Sequence, residues 1–247
     1  MSTVMGLDYL YLTTTETTSA GVTDYIMNID PTAIKNALGL ECTQIPADSS
    51  VSQDTTYPYK FLIHSANDNQ NGVVLRMKSD KTYMDIKSYV GGVLNYTDTF
   101  RQAVGISNSS QPVLYYKKGE DFVIFGISQT ALEPRINIAY LDYQELGKTE
   151  KQKCFLLCSS GSSDAGKCIL SDGNVYTFSR RTADISNDIV GIYPLINLTR
   201  RIVFPKAFIS AITNNNVNTN YFVFNGAAYI TFQNYSTTDY KICIQVS

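Results

Sequence analysis

The chain reads as mainly β, an antiparallel β-sandwich or barrel-like fold with one or two short helices, on three observations. Nearly every apolar stretch is short, rich in Val, Ile, Tyr, Phe and Thr, and bounded by Gly, Asn, Asp or Lys-Gly turns. Two dipeptides, Asp172-Gly173 and Asn225-Gly226, supply the positive-φ residues that a tight two-residue hairpin turn demands. The 247 residues hold 18 Tyr and 11 Phe but no Trp, a balance that suits strands buried on one face and wet at the other.

In chain order, residues 7–13 alternate imperfectly and 22–29 more regularly, and both read as strands. Residues 30–39 carry the helix signal: Asp30 as N-cap, Pro31 at the first helical position, Gly39 as the stop, and Ile34, Ala37 and Leu38 on one face. So short a helix must be held by packing rather than by propensity. The polar stretch 42–57 reads as a linker or long loop, and strands follow at 59–64, 72–78 and 81–90. A second helix candidate, 97–104, has Phe100 and Val104 on one side and no clear cap. Val113-Leu114-Tyr115-Tyr116, the turn Lys117-Lys118-Gly119-Glu120 and residues 121–127 make a hairpin. Residues 135–143 form a strand with one face more apolar than the other, and 153–158 is apolar enough for a central strand. Strands at 174–178, 221–224 and 227–232 flank the two hairpin dipeptides, 214–220 is an Asn-rich tip, and 239–246 closes the chain with Tyr240, Ile242, Ile244 and Val246 on one face. The expected division is an N-terminal β-rich domain, 1–150, carrying the helix near 31–38, and a C-terminal antiparallel β domain, 151–247. A single domain is the alternative, and the seams lie at 42–57 and 145–151.

Hydrophobic content of 44% with 17% charged residues gives a chain that buries a core. A net charge of −2 supplies no broad basic face, and Arg180-Arg181 and Arg200-Arg201 are isolated doublets, so no nucleic-acid partner is expected. The start lacks a basic and apolar leader, and no apolar run approaches the ~20 residues that span a bilayer, so synthesis in the cytoplasm and no membrane partner are expected. Cys42, Cys154, Cys158, Cys168 and Cys243 are odd in number and scattered, which fits buried, reduced thiols.

Motifs for chemistry fail in identifiable ways. Residues 161–168, Gly-Ser-Ser-Asp-Ala-Gly-Lys-Cys, nearly spell a phosphate loop, but Cys168 replaces the Mg²⁺-binding hydroxyl, and Ile169-Leu170 run into a turn instead of a helix. The stretch reads as the tip between two strands. Cys154, Cys158 and Cys168 lack a fourth zinc ligand. His64, the sole candidate base for a nucleophile, reads as a structural or an exposed histidine. Glu120-Asp121 and Asp142 with Glu145 sit at turns and strand ends, and Asp68 with Asn67, Asn69 and Asn71 lacks the spacing and closing Glu of a calcium loop. No catalytic, cofactor or metal residue is assigned.

The segments Arg200 to Ile209, Phe222-Val223-Phe224-Asn225-Gly226-Ala227-Ala228-Tyr229-Ile230 and Tyr240 to Val246 resemble the β-rich ends of structural proteins in tailed-bacteriophage virions, particularly tail, baseplate and fibre-attachment components. The resemblance covers about a fifth of the chain, and its pattern of apolar strand, Asn-Gly and Tyr-centred strand is shared by many hairpins. It implies a non-enzymatic subunit of a symmetric assembly, located in the virion, partnered by other virion proteins and further copies of itself through sheet edges and the N-terminal segment. The rival from a different class is a carbohydrate- or receptor-binding module, in which tyrosine rings stack on a host-surface glycan. Tyr115, Tyr116, Tyr140 and Tyr143 are its candidate glycan or partner contacts, with division between core and interface as the plainer alternative.

Overall fold

The computed structural model describes residues 6–17, 21, 23–97, 103–106, 111–158, 164–179, 192–197, 201–210, 219, 221–232 and 241–247. The first half runs β1 (Asp8–Tyr11), β2 (Thr13–Thr17), β3 (Thr23–Met27), α1 (Pro31–Leu38), β4 (Glu41–Ile45), α2 (Ser52–Thr56), β5 (Tyr59–Ser65), β6 (Asp68–Met77), β7 (Tyr83–Val90), β8 (Val93–Leu94) and β9 (Ala103–Gly105). There follow β10 (Val113–Lys118), β11 (Phe122–Ser128), β12 (Ile138–Glu145), β13 (Lys151–Cys158), β14 (Asp164–Leu170), β15 (Val175–Ser179), β16 (Ile192–Asn197), β17 (Ile202–Ser210), β18 (Tyr221–Phe224), β19 (Ala227–Thr231) and β20 (Lys241–Gln245). The protein is mainly β, and every ladder among the described residues is antiparallel. A twelve-stranded sheet ordered β1-β10-β11-β12-β17-β20-β19-β18 curls into a half-barrel, with β13, β14 and β15 branching from β12 and β16 lying on β17. A six-stranded sheet, β4-β5-β6-β7-β8 with β9 on β7, and the β2-β3 ribbon complete the fold.

The central strands are apolar on both faces because each serves two cores. Side chains alternate along a strand, so a continuous apolar run is divided residue by residue between the two sides of its sheet. In β13, Cys154, Leu156 and Cys158 enter one core while Phe155 and Leu157 enter the other. Ala139, Leu141 and Tyr143 of β12 oppose Ile138 and Tyr140 in the same way. The first core is closed by Leu195, Ile202, Phe204, Ala207, Ile230, Phe232, Ile242 and Ile244, where the large sheet folds over on itself. The second is closed by the inner face of the six-stranded sheet, including Phe61, Ile63, Val73, Leu75, Met84 and Ile86, and by Ile34 and Leu38 of α1. Each fully buried Leu, Ile or Phe contributes roughly 2 kcal/mol through its removal from water.

Helix α1 forms as its sequence predicts. The Asp30 Oδ1 accepts from the Thr32 and Ala33 N–H groups at 2.9 and 3.2 Å, a cap that contributes about 1 kcal/mol. Gly39 adopts φ 70° and donates its N–H to Lys35 O, and the Lys118 ammonium donates to Asn36 O at the negative end of the helix. Asn225 and Gly226 both have positive φ and close β18 to β19 in two residues. The Asp172-Gly173 hairpin is longer than the two-residue turn expected. Only Gly173 takes the left-handed conformation, Leu170 and Asn174 close the loop, and the Asp172 carboxylate accepts the Asn174 N–H.

The stretch 42–57 is not a linker. Its first residues are strand β4, with Cys42 buried against the second core, and α2 follows. The polar composition is misleading because its Asp54 is buried rather than solvated: Asp54 is 1% exposed, accepts from the Lys60 ammonium and from the Asp48 N–H at 2.8 Å, and accepts the Tyr96 hydroxyl at 2.8 Å. Beside it Arg76, 2% exposed, grips Asp85 with two hydrogen bonds of 2.8 and 2.7 Å, reaches Gln53 of α2, and lies over the Tyr57 ring at 4.6 Å. The short helix is therefore fastened to the sheet by paired charge.

Of the second helix candidate, 97–104, residues 98–102 lie outside the described residues, and Ala103–Gly105 is strand. Val104 pairs with Met84 and is buried. Residues 135–143 become strand only from Ile138, and side chains on both of its faces are buried. The boundary at 150/151 falls between β12 and β13, which pair from Ile138↔Leu157 to Gln144↔Lys151, so the large sheet runs across it. The Asn-rich tip at 214–220 lies outside the described residues except Thr219, which is buried with its hydroxyl accepting the Ile136 N–H at 2.7 Å.

Candidate functional site

The four tyrosines singled out from the sequence do not meet on one surface. Tyr115 and Tyr143 belong to the first core, at 0% and 2% exposure, whereas Tyr116 and Tyr140 pack half-buried against the second, on the opposite face of the sheet. The Tyr115 hydroxyl donates to Ala131 O at 2.6 Å, and that of Tyr143 to the Gln152 side chain. Burial raises the Tyr115 phenol above its usual value and pushes Tyr143 up to about 12. Neither ring has a face free for stacking on a sugar. Strand parity carried this information in the sequence, since adjacent residues 115 and 116 must point to opposite faces, as must 140 and 143.

The exposed aromatic surface lies instead on the N-terminal edge. Tyr9 and Tyr11 of β1 are 43% and 45% exposed, with rings 5.5 Å apart and edge-to-face, and Tyr25 of β3 is 38% exposed. Tyr9 stands opposite Tyr115 and its ring lies 5.8 Å away, so the patch is rooted on a buried ring. Burial, reinforced by the phenols of Tyr9 and Tyr25, raises the Tyr11 pKa. The spacing Tyr9-x-Tyr11 beside the apolar Leu10 is the signal that could have located this face.

Strands β1 and β18 end the main path of the large sheet; among the described residues each pairs on one side only, as do the branch strands β15 and β16. The β18 sequence, Tyr221-Phe222-Val223-Phe224, carries no charge, and Val223 is 60% exposed. The Phe222 ring stacks on Tyr229 at 5.3 Å with planes 12° apart, which fixes the strand against β19.

The remaining motifs are occupied structurally. Gly166-Lys167-Cys168 lies in β14 and pairs with Cys158, Leu157 and Leu156 of β13, an extended geometry that presents no helix N-terminus to a phosphate. Residues 159–163 lie outside the described residues. His64 is 6% exposed, with Nε2 3.3 Å from the Thr43 hydroxyl and Nδ1 2.8 Å from Ser65 O. The Asp68 carboxylate is taken up by the Gln70 and Asn71 N–H groups and the Asn71 amide. Asn71 in turn accepts the Gly91 N–H and donates to Ser171 O, tying hairpins of the two sheets together. Glu145 pairs with Lys148 at 2.6 Å and Asp142 with Lys153 at 2.8 Å.

All five cysteines are free and buried, and among the described residues no three His, Cys, Asp or Glu side chains gather as a metal site. Burial pushes the Cys42 and Cys243 thiols up to about 12 and, together with contact from Cys154, holds Cys168 well above the usual range. Because the thiolate is the reactive form, the folded protein is expected to leave an aromatic disulfide reagent unreacted at about pH 8 and to titrate all five thiols once denatured. Rapid reaction of any thiol in the folded protein would contradict this burial.

Compared with protein-family models, with curated proteins and with solved structures, the chain matches none at a significant level.

Proposed function

We propose that the chain is a non-enzymatic structural subunit that acts through protein–protein contacts, joining further copies of itself and other structural proteins in a phage virion or phage-tail-like assembly. The observation that carries this reading is the pair of strands at the two ends of the main path of the twelve-stranded sheet, the aromatic β1, whose one charge is Asp8, and the uncharged Tyr-Phe-Val-Phe of β18. An exposed apolar edge is a template for strand pairing, and soluble monomers usually protect such edges with charge, proline or a bulge. Tyrosine and phenylalanine are also the residues that interfaces favour. Two different edges at the two ends of one sheet suit head-to-tail contact between copies, which closes into a ring when the rotation permits. The virion setting rests on the resemblance of the strands around Asn225-Gly226.

The test is the mass distribution in solution of two edge variants. Val223→Lys places a charge on an outward position of β18, and Tyr9→Ser with Tyr11→Ser removes the β1 rings. Each is expected to shift the protein to smaller species while circular dichroism and the thermal midpoint stay close to those of the parent. Unchanged mass in both would show that these edges are not the contacts.

A further inference from the structure

A second surface, separate from the edges, is concave. Between the β10–β11 turn, strands β12, β13 and β17, and the chain terminus lies an open groove of about 600 Å³, a volume within the range of small-molecule sites. Half-buried Val246 supplies its accessible apolar lining, while Phe122, 5% exposed, belongs to the first core beneath. Its polar lining balances, with Lys151, Lys153 and Lys206 facing Glu120, Asp121 and Asp142.

The spacing within this set is uneven. Lys153 is fixed, donating to Asp142 Oδ1 at 2.8 Å and to the Asp121 backbone carbonyl at 2.7 Å, directly across the ladder from Asp142. The other two ion pairs stand open. Lys151 Nζ is 4.0 Å from Asp142 Oδ2, and Lys206 Nζ is 4.0 Å from Asp121 Oδ2, both beyond hydrogen-bond length. A hydroxyl oxygen placed about 2.8 Å from both members of such a pair closes a triangle, accepting from the ammonium and donating to the carboxylate at once. An anion entering the same gap meets a carboxylate with no proton to offer it, and a cation meets the ammonium. Two gaps of this kind line the one groove.

We propose that this groove binds a neutral saccharide, with Lys151–Asp142 and Lys206–Asp121 each bridged by a sugar hydroxyl and Val246 against the apolar face of the ring. The site does not depend on the assembly contacts. Its lysines and carboxylates belong to β12, β13, β17 and the β10–β11 turn, and none is on β1 or β18.

The experiment is saturation-transfer NMR on the full chain with neutral gluco-, galacto- and manno-configured trisaccharides, alongside a sialylated trisaccharide and inorganic phosphate. At least one neutral trisaccharide is expected to receive saturation. Lys206→Ala, at a partly exposed position with no short ion pair among the described residues, should weaken its binding tenfold or more, and Lys206→Gln, which keeps an N–H donor, less. The Tyr9→Ser, Tyr11→Ser variant should bind as the parent does, which separates this site from the aromatic edge. The proposal is overturned if no neutral trisaccharide is saturated, if only phosphate or the sialylated sugar binds, or if Lys206→Ala and Asp142→Asn both bind undiminished. Mass measured on the same Lys206→Ala sample reads the assembly independently: a change of sugar affinity at constant mass belongs to the groove alone.

Discussion

Gly72→Ala is expected to destabilise the protein by ~3 kcal/mol or more, because overpacking against immovable atoms cannot be relieved by a rotamer change. Gly72 sits in β6 between His64 of β5 and Tyr89 of β7, and a Cβ there would lie 2.2 Å from the carbonyl oxygen of Ile63 and 3.2 Å from Leu62 Cδ1. Ile63 is fully buried, and its backbone is held in the β5–β6 ladder, so the carbonyl retreats only by breaking the pairing that closes the second core. The cost is spatial and does not involve a left-handed backbone. Gly147 gives the contrast: its φ is +87° with nothing within 4 Å of an added Cβ, so Gly147→Ala should cost only the left-handed penalty of about 1–2 kcal/mol. Urea unfolding of both variants measures this, with a lower midpoint and an unchanged slope expected for Gly72→Ala. A Gly72→Ala protein as stable as Gly147→Ala would contradict the close approach of the two strands.

Lys60→Met is expected to cost about 3–5 kcal/mol, the penalty for leaving one buried charge without its partner. Among the described residues the Asp54 carboxylate would keep only the Asp48 N–H and the Tyr96 hydroxyl, in a place almost closed to water. Replacing both partners, Asp54→Leu with Lys60→Met, should recover much of the loss, since apolar residues of similar size often substitute for a buried ion pair at little cost. The same cluster sets the response to pH. Burial pushes the Asp54 carboxyl up, but the Asp48 N–H, Lys60 and Tyr96 together outweigh it and hold the group below its ordinary value. Its contribution is therefore present above the unfolded value of about 4 and is lost as pH falls through the lower folded value. Burial and the bond to Asp54 push Tyr96 up to about 12, so its contribution is present below the unfolded value of about 10 and fades as pH rises through about 12. Asp54→Asn should flatten the acid limb of a stability–pH profile and Tyr96→Phe the alkaline limb. Parent-like limbs in both variants would show that the cluster does not carry the dependence.

The parts of the fold legible in the sequence were those specified by local backbone chemistry. Asp30, Pro31 and Gly39 define α1 to the residue, and Asn225-Gly226 defines the β18–β19 turn, because caps and tight turns depend on neighbours a few positions away. The stretch 42–57 misled because burial of Asp54 depends on Lys60, Arg76 and Tyr96 coming together through the sheet, which no local pattern records. Strand order was hidden for the same reason: β12 meets β17, and β17 meets β20, across long separations. Residues 153–158 did announce a central strand, but not that its alternate side chains would fill two different cores. The candidate surface was half legible. An excess of tyrosine marked the chemistry, while the choice of which tyrosines remain outside depended on β1 lying at the end of the sheet and β10 inside it.

The measurement that bears most directly on the proposed role is the mass of the purified full-length protein by light scattering across a wide range of concentration. A structural subunit with two adhesive sheet edges gives a discrete closed oligomer or a mass that climbs with concentration, and Val223→Lys lowers it. A mass equal to one 27.5 kDa chain at every concentration, the same for parent and variant, would contradict self-assembly through these edges.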